Sequence, residues 1–282
     1  MIVLRVLSKA FIGIHRIKYI EKYMYCMKAG LQEGLTYRFQ YCMGLVILLI
    51  PFAIKNCIWL FAFEGSKEIA GYTVETMLLY NCLMLIVGSL TGTNVHWEIA
   101  DEIKTGDLSK YLTKPVVHRK YWFSKWTGNR VGQTIYAFGI FLAVFIVCPG
   151  GFGTIKCENI AAGLTAFGFA YILNFLVFYN ISLLSFRFLE ISSFFAAFDL
   201  ILSFLNGEYL PIDLMPEAWI RICRFLPVSS GAYFVVRTIM GAYSWREFLT
   251  KSCIQLSWIL LLTFCASYRW KKGIKRYESV GI

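Results

Sequence analysis

Six stretches of this chain are apolar and almost free of charge: 39–63, 77–95, 131–149, 159–186, 191–205 and 249–268. Each is a continuous apolar run, without the in/out alternation of a barrel strand, and a spanning helix needs about 20 such residues. The pattern predicts helices. The run 191–205 is the shortest and holds Asp199, while Lys55 and Lys251 sit near the ends of the first and last runs. The expected fold is all-α, a polytopic membrane protein of six transmembrane helices in one domain spanning 1–282. A cytoplasmic or interfacial segment, 1–38, precedes the six-span bundle at 39–268, and a basic tail, 269–282, follows it.

The polar connections sharpen this. In the first 38 residues, Val3, Leu7, Phe11 and Ile14 recur at helical spacing among Arg5, Lys9 and Arg16, as in an N-terminal amphipathic interfacial helix. A second such stretch is expected from Tyr19 to Tyr37. Between the second and third runs, Ile99 and Ile103 lie four apart among Glu98, Asp101, Glu102 and Lys104, so the second helix should extend beyond the membrane. Gly106 is placed to end that helix in a left-handed turn, Asp107 to cap the next, and Pro115 to stop it. Leu108, Tyr111 and Leu112 would put an apolar stripe on the short helix between them, suited to docking on a soluble partner.

Between the fifth and sixth runs, Pro211, Pro216 and Pro227 divide an apolar, aromatic segment of about 40 residues into short re-entrant helices on the outer side. Ser244-x-x-Glu247 reads as a capping box that opens the last helix.

Composition agrees with the pattern. Of 282 residues, 58% are hydrophobic and only 16% charged; soluble domains carry roughly a quarter charged residues. The net charge is +11. Twenty Lys and Arg fall on the side of the two termini and six on the other, so the positive-inside rule places both termini in the cytoplasm. Topology thereby accounts for the positive charge, and no nucleic-acid partner is implied. The N-terminus lacks the uninterrupted apolar core of a secretory signal and is expected to be retained. The nine cysteines form no C-x-x-C pair and the three histidines no H-E-x-x-H motif, so no metal, redox or catalytic site is expected.

Inside the runs, Gly88-x-x-x-Gly92 is a small-residue spacing that permits close helix approach. Ser89, Thr93, Phe195, Phe198 and Asp199 are candidates for lining a pathway. Asp199 is the one acid near the middle of a run, and such a group is a functional candidate by default.

The run Trp97-Glu98…Gly106-Asp107-Leu108…Leu112…Lys114-Pro115 resembles the coupling segment of type-2 ABC transporter permeases. The Leu210-Pro211…Met215-Pro216…Leu226-Pro227 segment is similar to that family's short outer helices. Trp270-Lys271-Lys272-Gly273…Arg276-Tyr277-Glu278 resembles the tail of a bacterial subgroup. The resemblance, over about residues 28–282, implies a permease forming half of a dimeric pathway in the bacterial plasma membrane, with an identical or related second permease. A separate ATPase subunit would hold ATP and Mg and drive it, since this chain has no G-x-x-x-x-G-K-[ST] loop; the chain itself is not expected to be an enzyme. Glu98, Asp101 and Glu102 would then lie on the cytoplasmic extension, and Asp107, Leu108, Tyr111 and Leu112 on the docking helix. The expected function is export of an amphipathic cargo such as a peptide, a drug or a lipid-like molecule. The alternative is a secondary transporter or channel that uses Asp199 for an ion or proton.

Overall fold

An apolar run without charge leaves the backbone few partners but its own carbonyls, and among the described residues each of the six runs is mostly helix. The structure, a computed structural model, describes residues 20–33, 38–113, 115–147, 155–188 and 190–277. Residues 1–19, where the first amphipathic stretch is expected, lie outside these, as do Lys114 and Glu278.

The helices in chain order are α1 (20–33), α2 (Arg38–Ala62), α3 (Val74–Thr91), α4 (Val95–Thr105), α5 (Ser109–Leu112) and α6 (His118–Val147). They continue with α7 (Cys157–Ser182), α8 (Ser192–Leu205), α9 (Glu217–Cys223), α10 (Ala232–Ile239) and α11 (Trp245–Ile274). No strand occurs among the described residues; Ile69 and Tyr72 form an isolated bridge. Three helical segments are long and apolar enough to cross a membrane: Val74–Thr105, Cys157–Phe186 and Trp245–Ile274. Leu48–Ala62 and Ser192–Leu205 are shorter apolar helices. At 1.5 Å per residue, α8 is about 21 Å long, less than the roughly 30 Å hydrocarbon layer.

The helix ends follow their local chemistry. In α3, Thr73 Oγ1 accepts from Thr76 N and Thr76 Oγ1 accepts from Thr73 N, a reciprocal cap. The predicted Ser244/Glu247 box opens α11: Glu247 N donates to Ser244 Oγ and Ser244 N to Glu247 Oε2. Two orphan donors are thus satisfied at each start. The segment between the fifth and sixth runs does form short helices, with α9 following Pro216 and α10 lying between Gly231 and Gly241.

The extension of the second run is not one continuous helix. It breaks at residues 92–94 and resumes as α4. The carbonyls freed by the break are taken by side chains of two neighbours. Trp126 Nε1 of α6 donates to Gly92 O at 3.1 Å, and Asn174 Nδ2 of α7 donates to Thr91 O. Thr93 Oγ1 accepts from Val95 N at 3.1 Å, so a buried break leaves few groups unpaired.

α7 is the central post and packs against α3, α4, α10 and α11. At one end of α7, Met77, Tyr80, Met84 and Val87 of α3 meet Ala166 and Ala170 of α7 and the buried face of α10. At the other end, Val95, Ile99, Ile103 and Leu108 meet Trp122 and Trp126 of α6, Phe175 and Tyr179 of α7, and Ala266 of α11. The opposite face of α11 is bare, with Leu260 and Phe264 each 71% exposed. That suits a lipid surround, not water.

Helix α1 crosses α6 at two glycines. A Cβ on Gly30 would lie 3.0 Å from the Lys125 carbonyl carbon, and one on Gly128 would lie 2.7 Å from that of Met27. The Gly88/Gly92 pair makes no comparable approach: Gly88 has nothing within 4 Å of its Cβ position, and Gly92 meets only its own helix closely.

Candidate functional site

The residues singled out in the sequence for coupling gather at the base of the bundle, where α4, α5 and the start of α6 make a tight elbow. Gly106 takes the expected left-handed conformation, φ +84°, and turns the chain. Asp107 does not cap α5. Its carboxylate pairs with Lys110 at 2.7 Å, both side chains being more than half exposed, and α5 begins without a side-chain cap.

The apolar stripe of α5 turns inward. Leu108 is fully buried against the inner cluster of α4, α6 and α7. Tyr111 is half-buried, and its hydroxyl donates to Glu102 Oε1 at 2.6 Å. The side chain of Leu112 lies outside the described set. The reason is geometric: Gly106 folds α5 back beneath α4, so the face carrying Leu108 meets Ile103 and Trp122 before anything else can reach it.

Glu102 is the hub of the elbow. Besides Tyr111 it accepts from Trp122 Nε1 at 3.1 Å. His118 stands beside it, with Nε2 at 3.6 Å from the carboxylate, 3.1 Å from Trp122 Nε1, and Nδ1 at 3.1 Å from the Tyr179 hydroxyl. Its ring stacks on Trp270 of α11 at 4.4 Å. Burial pulls the His118 imidazole below its ordinary value, against the pull of Glu102. A neutral ring with its proton on Nδ1 meets these contacts: it donates to Tyr179 and accepts from Trp122. Four elements, α4, α6, α7 and α11, therefore converge on one carboxylate–imidazole pair.

Glu98 faces the other way. Lys125 reaches it at 3.3 Å and Glu33 of α1 at 3.1 Å, so α1 is tied to the elbow through α6. Lys22 Nζ also donates to Pro115 O at 2.7 Å, and Val117 N donates to the Tyr23 hydroxyl at 3.2 Å. Asp101, Lys104, Lys110 and Thr113 remain exposed on the outer surface of the elbow.

Residues 48–281 match the family model described as ABC-2 family transporter protein. The chain belongs to the ABC-2 transporter family. It is a multi-pass membrane protein and a permease component of an ABC transporter. No curated relative matches it.

The pathway candidates of this ABC-2 permease fall in two places. Asp199 of α8 meets the start of α4: its carboxylate is 3.1 Å from His96 Nε2 and accepts from Trp97 Nε1 at 3.2 Å. His96 is fully buried, with Phe178 at 4.8 Å and Phe195 at 4.9 Å between ring centroids. Phe198 stacks on Phe194 at 6.0 Å. Ser89 lies elsewhere, in the last turn of α3, and Thr93 in the α3–α4 break. Ser89 Oγ is spent on the Ile86 carbonyl of its own helix, and its carbonyl accepts from Arg130.

Sequence reasoning missed the two histidines, Trp122 and Asn174. One signal was available: His96, Ile99 and Ile103 share a helix face, as do His118 and Trp122, so each histidine sits on a buried stripe.

Proposed function

We propose that this ABC-2 permease is one half of a dimeric exporter in the bacterial plasma membrane, with six membrane-crossing or membrane-entering helices and both termini cytoplasmic. A separate ATPase subunit holds ATP and Mg. When two such subunits close, they push on the elbow, and the cargo, an amphipathic peptide, drug or lipid-like molecule, passes between the permeases.

One observation supports this above the rest: the elbow is bonded on its inner side to α6, α7 and α11 through Glu102, His118 and Leu108, while its outer side is charged and bare. A push on α5 then reaches three long helices at once. In this reading Leu108 and Tyr111 transmit, and Asp101, Lys104, Asp107 and Lys110 make the contact with the ATPase. The Asp199 carboxylate, held by His96 and Trp97, braces α8 to α4, which favours the exporter over an ion-coupled transporter.

The test is co-purification from the native membrane. The ATPase subunit should be retained by the wild-type chain and lost from the double variant Lys104→Glu/Lys110→Glu, with the permease still folded. Retention by that variant would remove the elbow from the contact. Transport that follows a proton gradient and ignores ATP would overturn the exporter reading.

A further inference from the structure

A cavity of about 200 Å³ opens between α4, the turn after α7 and the start of α8. From α4, Trp97, Asp101 and Lys104 line it at a spacing of four and then three residues, one helix face. Phe188 and Phe195 add two more aromatic rings, and Glu190 a second carboxylate. The Trp97 ring is fixed in place, its Nε1 donating to Asp199 and its plane meeting Phe195 edge-on at 5.3 Å. Asp101, Lys104 and Glu190 make no ion pair among the described residues. Ser185, only 7% exposed, is among the lining residues, and its buried hydroxyl has no partner among the described residues. A buried hydroxyl left unpaired costs free energy that a ligand atom would recover.

Along the lining itself Asp101 and Glu190 outnumber Lys104 and favour positive charge; the Arg187 guanidinium stands outside the lining, 5.6 Å from the Phe188 ring centroid. The two exposed rings, Trp97 and Phe188, select for a cation with an apolar skin, because the face of an aromatic ring attracts cations and quaternary ammonium groups in particular, while the buried Phe195 backs Trp97. Away from the cavity, α8 carries Leu200, Ile201 and Phe204, each about half exposed, a surface fit for a hydrocarbon chain. We propose that this cavity binds the ammonium headgroup of an amphiphile, with its chain lying along α8. The volume holds a headgroup and no more. If that head also carries a phosphate, as in a zwitterionic phospholipid, Lys104 and the Ser185 hydroxyl are its donors. Asp101 and Lys104 also belong to the surface proposed above for the ATPase, so the binding is measured on this chain alone, without that partner.

The full-length chain, purified in maltoside micelles, would be titrated calorimetrically with decyltrimethylammonium, with diheptanoyl phosphocholine and with decyl sulfate, blank micelles being subtracted. The expected result is saturable binding of the first two and none of decyl sulfate, weakened about tenfold in Asp101→Asn/Glu190→Gln. Both acids are exposed, and an unchanged melting temperature checks that the variant is folded. Weaker phosphocholine binding in Lys104→Ala, with decyltrimethylammonium unaffected, would assign the site to a membrane lipid; tighter binding of both would assign it to a cationic cargo. Absence of saturable binding, equal affinity in the double variant, or equally tight decyl sulfate binding would overturn the proposal.

Discussion

Alanine at Gly128 should peel α1 away from the elbow. The added methyl would stand 2.7 Å from the Met27 carbonyl carbon, closer still to its oxygen, and 3.0 Å from Leu31 N. Carbon atoms in contact sit about 3.5–4.0 Å apart, so the two helices must separate by about 1 Å. Backbone lies on both sides of this crossing, so no rotamer change relieves it. A retreat of that size breaks or lengthens the Lys22–Pro115 and Val117–Tyr23 hydrogen bonds and the Lys125–Glu33 pair. Hydrogen bonds of this kind contribute about 0.5–1.5 kcal/mol each, and a half-exposed ion pair about 0–1 kcal/mol. The helix gain of alanine over glycine returns about 0.5–1 kcal/mol. The net cost is about 0–3.5 kcal/mol, with about 2 kcal/mol at the middle of that range, or roughly 30-fold in the opening equilibrium of α1. Hydrogen exchange read by mass spectrometry should show the amides of 20–33 exchanging faster by that factor. Gly139 lies on the same helix with nothing within 4 Å of its Cβ position, so Gly139→Ala should leave α1 unchanged. Equal protection of α1 in both variants would refute the close crossing.

Other expectations concern the elbow and the brace. Glu102→Gln removes the charge that accepts from Tyr111 and Trp122 and turns an amide N–H₂ toward one of these donors; the elbow should loosen by about 1–3 kcal/mol, seen as faster exchange over 95–113. Leu108→Ala should cost about 2–5 kcal/mol by leaving a cavity in the inner cluster, whereas Lys110→Ala, on an exposed surface pair, should leave the melting temperature within a degree or two. Because burial lowers the His118 imidazole below its ordinary value near 6.5, the unfolded elbow binds a proton more readily than the folded one. Stability is therefore full above about pH 6.5 and declines as pH falls through that value toward the lowered one. Exchange over 115–125, corrected for its intrinsic pH dependence, should accelerate from pH 7.5 to 5.5, and a flat profile would count against a buried neutral imidazole. Asp199→Asn keeps the shape of the brace and should keep most of the transport, while Asp199→Ala should free α8; loss of transport in Asp199→Asn would promote the ion-coupled reading.

The helices were legible because a charge-free apolar run in a membrane protein has few alternatives, and so were the Ser244 cap and the Gly106 turn, which depend on neighbours in sequence. Contacts between distant residues were not. Leu108 and Tyr111 announce a stripe that must be covered, but a stripe does not say by what, and the chain's own α4 and α6 supply the cover. The Gly88/Gly92 spacing permits a close crossing without specifying one, and the tight crossing falls on Gly30 and Gly128, which share no motif. Asp199 stood out as a charge, but its partner His96 lies 103 positions away. The break at 92–94 was missed because its stabilisers, Trp126 and Asn174, come from other helices.

That break gives the molecule a swivel. Its loose carbonyls are gripped by an indole from one side and a carboxamide from the other, so α4 cannot tilt without dragging or releasing those two grips. Under the proposed push on the elbow, this joint would carry part of the movement to the third helix, beside the sixth, seventh and eleventh that the elbow grips directly.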